Sequence, residues 1–223
     1  RLRLAVSLCA FQGRFRARHA LLGMRTPETL LRHVRIVGED NLHHSGGVLL
    51  LGFHLGPPPV GEAMCAAGHH ITPIGGERHS RSWSNRAWAP IRGKVESFER
   101  SEMSSVFGGT LYRARRRLLD GDAIYITADG TGREAFAVPI PGGPTLSIKS
   151  GWLVLRRDCG VPVLPVMAHM EGSTQVITIH PPLPAVDLDP RRDVVLCRDV
   201  LSTLLARYVR DFPAQCCRLV FGD

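Results

Sequence analysis

The sequence is short of several things, and each shortage removes a class of function. Lys94 and Lys149 are its only lysines among 28 basic residues, so the formal charge of +8 is carried almost wholly by arginine. No run of about 18 apolar residues occurs, which excludes a complete membrane-spanning helix within these 223 residues. Aromatic residues make up only 6% of the chain and do not interleave with a basic stripe, so nucleic-acid binding is a poor reading of the charge. The six cysteines, Cys9, Cys65, Cys159, Cys197, Cys216 and Cys217, are scattered and form no disulfide framework. A reducing compartment suits them better than secretion. His43-His44, His69-His70, His79 and Cys65 lack a second pair at structural zinc spacing, and no metal is expected. The serine-hydrolase elbow G-x-S-x-G is missing, and neither Cys65 nor the Cys216-Cys217 pair reads as a nucleophile with a recognisable base near it in sequence. Neither repeats nor a Pro/Gly/Ser linker divides the chain.

What remains is 44% apolar and long enough to bury one generous core, so a single domain over 1–223 is expected. Residues 1–30 have two readings. The apolar stretch from Leu4 to Phe11, flanked by arginines, is either a first core helix or the remainder of an N-terminal membrane-associating helix. A signal peptide fits less well, since no small-residue cleavage site follows.

Along the chain, Val34–Val37 reads as a short strand, followed by the polar turn "GEDNLHHSGG". Val48–Phe53 is a continuous apolar run and reads as a strand buried on both faces. A helix is expected from Pro59 through "VGEAMCAAG" to Gly68, then a strand at "HITPI" and a basic loop, "GGERHSRSWSN". "TLYRARRRLLDGD" places Leu111, Ala114 and Leu118 on one helical side. "AIYITADG" reads as a buried strand ending in an acid and a glycine. "IKSGWLVLRRDCG" looks helical, "VPVLPVMA" and "TQVITIH" look like strands, and a last helix runs from about Val194 to Phe212. Alternating strands and helices predict an α/β fold with a mostly parallel central sheet flanked by helices. Function in such sheets gathers at the carboxyl ends of strands, and both His54 and Asp129 follow such ends.

A histidine just beyond a buried strand can accept a proton if a carboxylate fixes its tautomer; it can equally cap a helix or bond a loop carbonyl. The surrounding segments resemble a known family. "VRIVGEDNLHHSGGVLLLGFHLG", "LYRARRRLLDGDAIYITADGTG", "VPIPGGPTLSIKSGWLVLRRDCGVPVLPVMA", "TIHPPLP" and "VRDFPAQC" occur in order over about residues 34–217. Together they resemble the lysophospholipid acyltransferase superfamily, and within it the bacterial lipid A late (lauroyl/myristoyl) acyltransferase branch. The resemblance implies transfer of a fatty acyl group from an acyl carrier protein or coenzyme A thioester to a hydroxyl of a lipid or glycolipid. No other cofactor is implied. It also implies a protein resting on the cytoplasmic face of the inner membrane, against an anionic surface. It assigns His54 as the base. Arg78 corresponds to an arginine that binds acceptor phosphate, and a guanidinium fork suits that ligand. Gly130, Thr131 and Arg133 in "ADGTGRE" correspond to a third motif, whose backbone amides can cradle a phosphate or an oxyanion.

One position departs from the family. The acid expected after His54 and four intervening residues is Pro59 here. Three readings follow. Glu62 folds back in its place, although eight residues of regular helix rise about 12 Å. Asp129 supplies the carboxylate from the neighbouring strand end. Or the pair is broken, and the chain is a catalytically degenerate relative that binds lipid or a partner.

Overall fold

The computed structural model describes residues 2–22, 31–57, 60–74, 106–129 and 135–216. Its centre is a six-stranded sheet. The strands are β1 (Val34–Val37), β2 (Val48–Gly52), β3 (Ile71–Ile74), β4 (Ala123–Thr127), β7 (Val163–Glu171) and β8 (Thr174–Ile179), in the spatial order β1-β8-β7-β2-β4-β3. Every neighbouring pair is parallel except β7 and β8, which form an antiparallel hairpin around Gly172. The fold is therefore α/β with a mostly parallel sheet.

β2 shows why the sequence builds this centre. All five of its residues are buried, because helices cover both sides of the sheet. Leu49 and Leu51 point into the larger core, with Ala114 and Leu118 from one helix (α3, Val106–Leu119), Trp152, Leu153 and Leu155 from the next (α4, Gly151–Cys159), and Leu201 and Leu205 from the last (α5, Pro190–Asp211). Val48 and Leu50 face a smaller core with Val60, Ala63 and Met64 of a short helix (α2, Val60–Ala66). Each fully buried leucine adds roughly 1.5–3 kcal/mol relative to exposure. The first helix (α1, Leu2–Leu22) buries Leu8 and Phe11 and packs against the 3₁₀ turn Pro213–Gln215. Among the described residues no helix is long and apolar enough to cross a membrane.

Two elements differ from the sequence expectation. Ile148 and Lys149 do not open a helix. They end strand β6 (Thr145–Lys149), which pairs antiparallel with β5 (Ala135–Pro139) in a separate hairpin. The prolines and glycines of "VPIPGGP" obscure the signal, yet burial alternates along the first strand, with Phe136 and Val138 turned inward. The last helix begins at Pro190 rather than Val194. Asp189 caps it by accepting from the backbone N–H of Arg191 (2.9 Å), and Pro190 needs no donor in a first turn.

Candidate active site

Strand register brings the site together. In the parallel pairing of β2 with β4, Gly52 lies opposite Thr127. Two residues further along each strand stand His54 and Asp129, at the carboxyl edge of the sheet. The backbone N–H of Ala128 still reaches the Gly52 carbonyl (2.9 Å), which holds the two strand ends side by side. On its other flank Asp129 forms an antiparallel bridge with Ile148, and Lys149 donates to the Ala128 carbonyl (2.8 Å). The unforeseen β5–β6 hairpin therefore buttresses the acid.

Asp129 and His54 are in direct contact. One carboxylate oxygen of Asp129, Oδ1, accepts from the His54 backbone N–H at 2.8 Å and lies 2.9 Å from His54 Nδ1. The Asp129 side chain is 3% exposed and that of His54 22%. The acid is thus sealed in while the imidazole stays reachable from solvent. As a carboxylate, Asp129 can only accept, so Nδ1 carries a hydrogen, and in the neutral imidazole the lone pair lies on Nε2. Two contacts from one oxygen to the backbone and the ring of the same residue leave the imidazole little freedom to rotate.

The turn after His54 is equally constrained. Gly52 has no side chain because a Cβ would overlap the Tyr125 ring. Gly56 adopts φ +73°, and a Cβ there would also strike the Ala168 carbonyl and the Tyr208 hydroxyl. Tyr208 itself donates to the Ala168 carbonyl. Pro57 turns its carbonyl to the buried amide of Gln175 on β8 (3.0 Å). Gln175 and Tyr208 were not singled out from sequence. Their one available signal was a polar group at an inward strand or helix position, and that demands a partner without naming it.

Glu62 lies on the helix Val60–Ala66, and its side chain is outside the described residues, as are Pro59, Arg78, Gly130, Thr131 and Arg133. The other histidines offer a contrast. His169 lies 3.0 Å from Glu171 and stacks on Phe212 at 3.9 Å between ring centres. Glu171 is 53% exposed and is shared with Arg35. Its carboxyl is held below the usual range, first by the His169 hydrogen bond. A pair open to water on its acidic side is screened, and such pairs contribute little. His69 pairs with Glu39 at the surface, and the Cys65 thiol donates to the Ile71 carbonyl (3.0 Å). Among the described residues no group of three or more acids, histidines or cysteines is placed to hold a metal ion. All the described cysteines are free thiols.

Neither a family model nor a curated protein matches the chain. Among solved structures it is similar to the 1-acyl-sn-glycerophosphate acyltransferase of Thermotoga maritima, at 16% identity and a TM-score of 0.50. The likeness covers 94% of this chain and 97% of that one. At such an identity the shared property is the fold: a mostly parallel sheet flanked by helices, over nearly the whole of both chains.

Proposed function

We propose that the protein is an O-acyltransferase, moving a fatty acyl group from an acyl carrier protein or coenzyme A thioester to a hydroxyl of a lipid or glycolipid. One observation carries the reading: a solvent-reachable histidine held by a sealed carboxylate at the carboxyl edge of a parallel sheet. In the reaction, Nε2 of His54 takes the proton of the acceptor hydroxyl as its oxygen attacks the thioester carbonyl carbon. Asp129 stabilises the imidazolium and keeps its tautomer. The tetrahedral oxyanion then collapses, the carbon–sulfur bond breaks, and the departing thiolate recovers the proton from the imidazolium. Gly130 and Thr131, which follow Asp129 in the chain, supply amides for the oxyanion. Arg78 and Arg133 hold phosphate on the acceptor or the carrier. In this reading Asp129 takes the place of the acid missing at Pro59, and Glu62 is not required as the orienting partner. The lipid A late acyltransferases provide the finer expectation, a glycolipid acceptor at the cytoplasmic face of the inner membrane. The basic surface would then rest on anionic headgroups.

The test offers purified protein acyl-CoA and acyl carrier protein donors of several chain lengths, against lysophospholipid and lipid A-type acceptors. Product is expected with at least one combination, and His54→Ala should abolish it. No transfer and no thioester hydrolysis with any donor would sink the proposal. A second reading is a catalytically degenerate protein that binds lipid or a partner. It draws on the backbone contact of Asp129 Oδ1, since a purely structural turn cap makes the same bond. Under that reading His54→Ala leaves the function in the host unchanged.

A further inference from the structure

β2 accompanies β7 only as far as Gly52, which lies opposite Val166. Beyond that point the chain turns through His54, while β7 continues to Glu171. Gln215, in the turn after the last helix, attaches to this unaccompanied end of β7. Its side-chain oxygen accepts from the Met170 backbone N–H (2.8 Å), and its side-chain nitrogen donates to the Met170 carbonyl (3.1 Å). The amide thus imitates one residue of an added strand. The backbone carbonyl of the same Gln215 accepts from the N–H of Gly56 (3.0 Å), two residues after His54. Gly56 in turn lies tight against the Ala168 carbonyl.

From these contacts we infer that Gln215 is a positioning residue for His54. Its side chain grips β7, and its main chain holds the turn that presents the imidazole. Asp129 fixes the ring from the β4 side, and Gln215 fixes the backbone of the following turn from the β7 side. Losing the Met170 bonds frees the 213–215 segment and with it the Gly56 anchor, so the imidazole samples poses away from Asp129. The kinetic consequence rests on the acyl-transfer reading, while the consequence for the ring does not.

The test measures the ring tautomer of His54 by NMR in protein labelled with ¹⁵N-histidine, its signal assigned by loss in His54→Ala. Acyl transfer is measured beside it. Wild type is expected to show the Nδ1-protonated tautomer, and Gln215→Ala a mixture of tautomers. In Gln215→Ala kcat should fall about tenfold or more, with KM within about twofold of wild type. Gln215→Glu keeps the bond to the Met170 N–H and loses the other, so it should fall between the two. It also carries the test if Gln215→Ala does not fold. Cys197→Ala, a buried change in the larger core, is expected to lower the melting temperature and leave the His54 signal unmoved. An unchanged tautomer in a folded Gln215 variant overturns the inference, whatever the activity. So does an equal shift in Cys197→Ala, which would mark the effect as general loosening. A shifted tautomer in a protein that transfers no acyl group upholds the positioning role and removes the acyltransferase reading instead.

Discussion

Two aspartates are buried among the described residues, and their partners differ. Asp129 sits between strand ends and faces a histidine, a group whose charge can change. Asp193, 1% exposed, lies on the last helix, 3.3 Å from the guanidinium of Arg156 and 3.6 Å from that of Arg157, which never lose theirs. Around Arg156, itself 2% exposed, the Cys197 thiol and the Pro184 carbonyl take further donors, so α4, α5 and the preceding loop are locked together. Burial raises the Cys197 thiol pKa, with Arg156 opposing the shift. Asp193 Oδ1 also accepts from the Asp187 N–H (3.2 Å), while Oδ2 has the long Arg157 contact and no hydrogen bond. One acid faces an ionisable partner that solvent can reach. The other is arranged so that nothing changes. The difference lies in the partner and its exposure, because the two carboxylates are similarly buried.

The sharpest way to break this contrast is Asp129→Asn. If Asp129 serves chemistry, acyl transfer should drop on the order of 10³–10⁴-fold while the melting temperature moves little. A rate within a few fold of wild type would make Asp129 a structural cap and erase the distinction. Asp193→Asn should do the reverse. The buried guanidinium of Arg156 loses its counter-charge and the partly exposed Arg157 loses a longer contact, costing about 3–5 kcal/mol in denaturant unfolding, with the rate per folded molecule preserved. Gly56→Ala forces a side chain into φ +73° and against the Ala168 carbonyl. It should cost about 2 kcal/mol and, unlike Asp193→Asn, also reduce turnover of the folded fraction. The smallest effect concerns pH. Burial, aided by the charge of Arg207, holds the His180 pKa below the ordinary histidine value. The folded form therefore binds that proton less readily than the unfolded chain. The stability it contributes is complete above about pH 6.5 and is lost as pH falls through the lower folded value. His180→Gln should flatten the acid side of a plot of stability against pH, without altering the His54 tautomer.

Much of this was legible from residue pattern. The buried run at β2, the amphipathic α3 and the strand ending at Asp129 announced themselves through periodicity and turn residues. Both members of the pair could be placed at strand ends. Their adjacency could not, because β2 and β4 are neighbours only through sheet order, and 75 residues separate His54 from Asp129. Local spacing instead kept Glu62 in contention, since a proline-rich turn has no fixed geometry to exclude it. The β5–β6 hairpin stayed hidden for a related reason. Pro139 and the Pro-Gly-Gly-Pro turn read as loop, and only the cross-strand partner, Val138 opposite Leu146, gives the segment its strand character. The start of α5 carries two competing signals: Asp189-Pro190 is a strong opening, but the apolar periodicity begins at Val194.

The turn behind His54 also has a consequence for synthesis. His54 leaves the ribosome before its neighbours Asp129, Gln175, Tyr208 and Gln215, which emerge in that order, the last more than 150 residues later. Strand β2 itself waits for its partners β4 and β7, and the turn at its end waits longer still, for Tyr208 and Gln215. A nascent chain therefore holds His54 without its full set of contacts until α5 and the turn after it have docked.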